Sequence, residues 1–267
     1  AGTCGGATPA VRVVVAGLTT YDSNCTAGAF SVTGVTYSPG DSIIAYLLPA
    51  TGIEGATVTI DPVSNINNFD IYENRVIVRH ENTTPINIAD LAVYDSSDDA
   101  NIPFTAVDAG TDTLTLPADR KLIVWTDKTF APGGNVTLTS GGSEAYGGSL
   151  ELYSDATWTG AGVEFLTIGG SFELDTDAVF TASNGTTTFT TTGSGRLIDV
   201  NNSTFTNIAL TGSGDWDITD TTFAVTGDYS QSAGAVTFPA ATSTFSGSFT
   251  VSGGTFDAND GLAIYNG

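Results

Sequence analysis

The chain has no methionine, one histidine, two cysteines and seven lysines and arginines among its 267 residues. Each scarcity excludes something. Against 29 acidic side chains, so few bases leave a net charge of -22, which makes nucleic acid and anionic membrane surfaces poor partners. No stretch stays apolar for the roughly 18 residues of a membrane-spanning helix, so membrane insertion is not expected. The missing methionine suggests that position 1 is a processed or trimmed end, and we expect a signal peptide removed before Ala1 and an extracellular or cell-surface location. One histidine and two distant cysteines are too few for a zinc site, whereas an oxidising compartment would pair Cys4 with Cys25. That bridge would close a loop worth about 3 kcal/mol by the chain-entropy argument; two free buried thiols are the alternative.

Charged residues make up 13% of the chain and hydrophobic residues 40%, a balance that buries a core rather than leaving an acidic tail disordered. Thirty-two glycines and abundant threonine and serine indicate an all-β protein with frequent turns. The first 50 or so residues hold the β-rich runs "AVRVVVAG", "GAFSVTGVTYSPGD" and "SIIAYLLP", separated by Gly, Pro and Asp. Phe30, Val32 and Val35 alternate with small polar residues, and an antiparallel β-sandwich over residues 1–52 is the expectation.

From residue 53 to 267 the pattern changes. In "TSTFSGSFTV" Phe245, Phe249 and Val251 share one parity and the hydroxyl residues the other, while Gly253-Gly254 turns the chain. Apolar pairs of this kind recur: Val76/Val78, Ile102/Phe104, Ile123/Trp125, Leu150/Leu152, Phe172/Leu174, Ile198/Val200, Phe223/Val225 and Phe249/Val251. The last four are about 25 residues apart, which predicts a right-handed parallel β-helix with rungs of that length. A long sandwich or up-and-down barrel is the alternative, disfavoured because Asn-Gly and Asp-Gly hairpins are scarce.

The stretch "GAFSVTGVTYSPGDSIIAYL" resembles transthyretin-like, carboxypeptidase-regulatory-like sandwich modules of bacterial surface proteins, though one strand short. Segments such as "KLIVWTDKTFAPGGNVTL" and "STFTNIALTGSGDWDITDTTF" resemble repeat-rich bacterial cell-surface proteins in which such a module precedes a β-solenoid. The resemblance implies extracellular display, adhesion or structural assembly, and carries no catalytic motif.

Candidate chemistry is sparse. Asp95, Asp98 and Asp99 form the densest acidic group, followed by Asp108 and Asp112, and read as a solvated turn, with calcium ligation the alternative. No other cofactor is indicated. In "DWDITD", Asp215 and Asp217 point away from Trp216 and Ile218 as an ordinary rung would. His80 reads as a structural strand-end residue, and Arg75 and Arg79 as surface partners of Glu73 or Glu81. The threonine run Gly185–Gly193 suggests a hydroxyl face like that of ice-binding β-helices, yet the neighbouring runs "LIDV" and "DITD" do not continue it. Asn82, Asn135, Asn184 and Asn202 open glycosylation sequons.

The expected function is therefore a non-enzymatic structural or adhesive protein. It would associate end to end into a surface filament, or with neighbouring surface proteins or glycans; a polysaccharide-binding or polysaccharide-degrading β-helix is the rival.

Overall fold

The computed structural model describes residues 10–48, 53–60, 62, 64–141 and 147–267. Its strands are short and coil into a β-solenoid of about 10 turns. Short strands suffice here because each one pairs with the equivalent strand one turn away, so backbone N–H and C=O groups are satisfied between coils.

The first strands are β1 (Val11–Val15), β2 (Thr19–Ser23), β3 (Ser42–Leu47), β4 (Ala56–Ile60) and β5 (Arg75–Val78). They run in the order β2-β1-β3-β4-β5 and continue, in one 12-stranded sheet, through Lys121–Val124, Leu150–Leu152, Phe172–Leu174, Arg196–Ile198, Asp215–Ile218, Ala235–Thr237 and Thr255–Asp257. Pairing is antiparallel as far as β3-β4 and parallel from β4-β5 onward. A second face is an eight-stranded sheet from Thr105–Val107 to Phe249–Val251. The third face has two three-stranded sheets, linked by bridges from Thr181 to Thr204 and from Phe205 to Val225.

Alternation sets which side faces inward. Leu150 and Leu152 are fully buried and Glu151 between them is half-buried, a pattern repeated by Phe172, Glu173 and Leu174. The expected core residues Phe172, Leu174, Ile198, Val200, Phe223 and Val225 are all buried, and Phe249 packs against the same core. Val251 faces inward in register with buried Gln231 but is 40% exposed, because it lies on the last coil.

The expected rung length needs correction. Ile198 lies opposite Ile218, Trp216 opposite Val236 and Val236 opposite Phe256, so the step between these coils is 20 each time. Earlier coils are longer: Leu122 pairs with Leu150, Leu150 with Phe172 and Phe172 with Ile198, steps of 28, 22 and 26. Ile198 lies on the long sheet, Phe223 on the third face and Phe249 on the second sheet. All three faces carry similar apolar pairs, so a step somewhat longer than the coil lands one face further on and still finds a pair. Another phase correction concerns Ile123/Trp125. Leu122 and Val124 align with Leu150 and Leu152, which puts Ile123 and Trp125 on the outer parity.

At the N-terminal end, β3 is buried throughout because both its faces are covered. Ile44 and Tyr46 join the solenoid core. Ile43, Ala45 and Leu47 instead join Val11, Val13 and Val15 in a second core, against which Phe30, Val32, Val35, Ile66 and Phe69 pack. The antiparallel strands were expected. The strand expected around Phe30 and Val32 is absent, however: Gly34 takes φ +72 and this run covers the sheet as irregular chain. Cys25 is half-buried against the second core, while Cys4 lies outside the described residues.

The segment joining β5 to Lys121–Val124 folds across this end. Its helix α1 (Ile88–Leu91) has a capping box, in which Asn87 accepts from the Asp90 N–H and Asp90 accepts from the Asn87 N–H. Ile86, Ile88, Leu91, Tyr94, Ile102 and Phe104 seal the core, and the Tyr94 hydroxyl reaches the Val14 carbonyl at 3.1 Å and also the Ser42 carbonyl. Ile102 and Phe104 are thus buried in this cover rather than on a rung strand. Among the described residues, no helix is long and apolar enough to cross a membrane.

Candidate functional site

The acidic cluster singled out from sequence is taken up by local structure. Asp95 accepts from the Ser97 N–H and hydroxyl, and Asp98 from the Asp95 N–H, as in a capped turn. Asp99 turns inward, where it accepts from Tyr46 Oη at 2.7 Å, Arg12 at 3.3 Å and Asn101. Burial pushes its pKa up, but the hydrogen bonds from Asn101 and Tyr46 and the charge of Arg12 together bring it below the usual value. Arg12 also forks onto Asp22 at 2.8 and 3.1 Å, so Asp22, Arg12, Tyr46 and Asp99 clasp the N-terminal strands to the covering segment. Among the described residues, no three His, Cys, Asp or Glu side chains converge to hold a metal.

Many other acids serve the backbone. Asp127, Asp155 and Asp177 have φ values of 60, 61 and 59, and occupy corners in successive coils. Aspartate tolerates this left-handed conformation better than most residues with a side chain, so turn geometry contributes to the acidity. Asp215 and Asp217 flank buried Trp216 as expected.

Two further expectations divide. His80 is buried; one ring nitrogen lies 2.5 Å from the Asn82 carbonyl and the other accepts from the Thr129 N–H at 2.9 Å, tying adjacent coils together. Desolvation lowers its pKa, favouring the neutral ring this geometry requires. Arg79 pairs with Glu81 as expected, but the pair is buried rather than on the surface: Arg79 also donates to the Asn68 carbonyl and lies 5.6 Å from the Phe69 ring. Arg75 donates instead to the Glu73 carbonyl.

The threonine run has different neighbours from those its sequence suggests. Strand Thr186–Phe189 pairs with Leu166–Ile168 and Asn207–Leu210, whereas "LIDV" and "DITD" begin on the long sheet. On the second sheet the outward row reads Thr115, Thr137, Thr167, Thr188, Ala209, Ser230 and Thr250. Its neighbouring hydroxyls are partly used internally, since Thr190 and Thr211 bond to the carbonyls of Ile168 and Phe189. Phe165, 50% exposed, stands beside the row and breaks its flatness. Of the sequon asparagines, Asn184 and Asn202 are exposed, and Asn135 accepts from the Phe165 N–H.

Among the described residues, two further surfaces stand out. One is the last coil, where three strands present unpaired edges. Among its inward positions, Tyr265 aligns with buried Phe245 yet is 53% exposed. The other lies on the outer side of the long sheet. There Tyr72, Trp125 and Tyr153 form a row of rings with centroids 6.2 and 5.2 Å apart. Trp125 and Tyr153 occupy the same column in successive coils, and Tyr72 reaches them from the turn before β5. Beside them Lys121 bridges Glu151 at 2.9 Å and Glu173 at 3.5 Å. Burial, then Glu151, pushes the Tyr153 hydroxyl up to about 12.

Protein families, curated proteins and solved structures provide no match to this chain. The aromatic row escaped sequence reasoning because "KLIVW" is apolar on both parities, so the pair Ile123/Trp125 reads as inward when it lies on the outer parity. Only the Trp125 to Tyr153 spacing, equal to the Leu122 to Leu150 step, marks the column.

Proposed function

We propose that the chain is a non-enzymatic structural or adhesive element displayed outside the cell, and that it associates end to end with further copies. The supporting observation is the last coil: strands Phe249–Val251, Thr255–Asp257 and Leu262–Tyr265 each pair on one side only, above a core whose inward residues stay partly exposed. Unpaired parallel edges over an apolar core are a template for another coil. Because the two ends of a solenoid differ, such contacts are head to tail and generate open polymers.

This reading also takes the coils as right-handed, the usual sense of parallel crossovers. It takes the N-terminal antiparallel strands as a transthyretin-like sandwich module and pairs Cys4 with Cys25 outside the cell, after removal of a signal peptide. Sedimentation velocity over a concentration series and electron microscopy test the assembly. Concentration-dependent oligomers or fibres are expected, weakened by Tyr265→Lys; a strictly monomeric chain at high concentration with no fibres would overturn end-to-end association. A glycan-degrading rival predicts reducing-sugar release across a glycan panel, and reproducible turnover would overturn the non-enzymatic reading.

A further inference from the structure

The aromatic row on the long sheet has the makings of a binding platform. Tyr72 is 43% exposed, while Trp125 and Tyr153 are half-buried. By contrast, Trp158 and Trp216 are 3% and 0% exposed in the core. Rings in full face-to-face contact would lie about 3.5–4.0 Å apart. Here the centroids are 6.2 and 5.2 Å apart at interplanar angles of 29° and 40°, so the rings are tilted and not in full face-to-face contact. Three outward rings grouped side by side, each at least partly open to solvent, make an aromatic patch on this face of the sheet.

The polar groups around the row narrow the ligand. Glu151 and Glu173 are held by Lys121 and present fixed acceptors. Asp175 follows Tyr153 in the same column, one coil on, and its backbone N–H donates to the Leu152 carbonyl. Arg75 lies opposite Lys121 on the adjacent strand, so two cations offset nearby carboxylates and this patch lacks the bare negative charge of much of the chain. A cationic partner therefore gains less here than at the acidic corners, and an anionic partner meets the overall charge of -22. What fits is a neutral ligand with apolar faces for the rings and hydroxyls for the carboxylates, long enough to follow one aromatic per coil.

We infer that Tyr72, Trp125 and Tyr153 bind a neutral polysaccharide chain laid along the solenoid axis, with Glu151 and Asp175 accepting from its hydroxyls. This deepens the adhesive part of the proposed function by naming a ligand class, and it does not require the chain to assemble.

The test is isothermal titration of the full chain with neutral hexasaccharides of β-1,4-linked glucose, β-1,4-linked N-acetylglucosamine, β-1,4-linked mannose and α-1,4-linked glucose, with hexalysine as the cationic comparison. Acrylamide quenching of tryptophan fluorescence is followed in parallel, since Trp125 is the most accessible of the three tryptophans. At least one hexasaccharide is expected to bind and to shield Trp125 from the quencher. Trp125→Ala should weaken that binding at least tenfold and Tyr153→Ala about threefold or more, with unchanged circular dichroism. If Trp125→Ala does not fold, quencher shielding in the unaltered chain and the Tyr153→Ala variant decide the matter. Binding by none of the saccharides, binding unaffected by the folded variants, or hexalysine binding that alone depends on the aromatic row would overturn the inference. Saccharide binding by a strictly monomeric chain would support it while refuting end-to-end assembly.

Discussion

At the N-terminal end, Ile88, Leu91 and Tyr94 cover the first coils with no more than 2% exposure; at the other end, Val251 and Tyr265 occupy inward positions and are 40% and 53% exposed. The same ladder rules produce both ends. The difference is an insertion: the step from Val76 to Leu122 is 46, and the surplus forms α1 and the strands around it, which fold back over the core. The last three coils keep to the short step of 20, with no comparable insertion between them. Closing a solenoid thus depends on extra chain in one coil rather than on a different kind of strand.

The interior changes along the same axis. Early coils combine the aliphatic Val76, Val78, Leu122, Val124, Leu150 and Leu152 with two aromatics, Phe130 and Trp158, while later ones are dominated by Phe189, Phe205, Trp216, Phe223, Phe238 and Phe245. These later rings contact one another in tilted and edge-to-face pairs, such as Phe189 with Trp216 at 6.0 Å and Phe223 with Phe238 at 5.6 Å. A shorter coil has fewer inward positions, and larger side chains fill its cross-section.

Breaking the aromatic half should have the largest effect. Trp216→Ala is expected to cost about 3–5 kcal/mol in denaturant unfolding. Hydrogen exchange should then show protection lost around residues 196–267 before the coils near β5, because each coil draws its stability from its neighbours. Simultaneous loss along the whole chain would show that the two halves are one cooperative unit. Trp216→Phe should cost much less than the alanine change, since the indole N–H has no hydrogen-bond partner among the described residues and its removal leaves no new group unpaired.

The corners come next. Gly234 has φ +71, and a Cβ there would meet the Gly214 carbonyl oxygen at 2.5 Å, so Gly234→Ala should destabilise by roughly 1–3 kcal/mol. A change in the same unfolding measurement no larger than the roughly 0.5 kcal/mol of an unconstrained surface position would show that the corner can relax.

At the closed end, Asp99→Ala removes the acceptor shared by Tyr46 and Arg12 and should cost about 1–3 kcal/mol, sharpening how far the cover depends on that clasp. Proteolysis should then cut first within residues 95–107, and an unchanged pattern would show that apolar cover alone holds the end.

The smallest effect is expected from His80. Its folded pKa is lowered, so the unfolded chain binds the proton more readily, and the stability contributed by the neutral ring is lost as pH falls through the unfolded value of about 6.5 toward the lower folded value. Melting temperature measured from pH 7.5 to 5 should fall more for the unaltered chain than for His80→Gln. Parallel curves would remove His80 from the pH response.

Much of the solenoid was legible because inward and outward residues alternate locally, as in Leu150–Leu152 and Phe172–Leu174. The strands of "DWDITD" and the Gly253-Gly254 corner follow from the same short-range rules: Asp215 and Asp217 face out, and Gly254 takes φ +83 above Gly234. The coil length was misread because similar apolar pairs lie on all three faces. The aromatic row was hidden because Leu122, Ile123, Val124 and Trp125 are apolar without alternation.

By itself, the sequence determined an acidic all-β chain whose strand faces divide into apolar and hydroxylated sides, since parity and turn chemistry are properties of neighbouring residues. The tertiary structure alone decided which pairs share a face, which end is covered, and that Tyr72, Trp125 and Tyr153 stand together. Those relations join residues separated by a whole coil or more, and they depend on how much chain each corner absorbs.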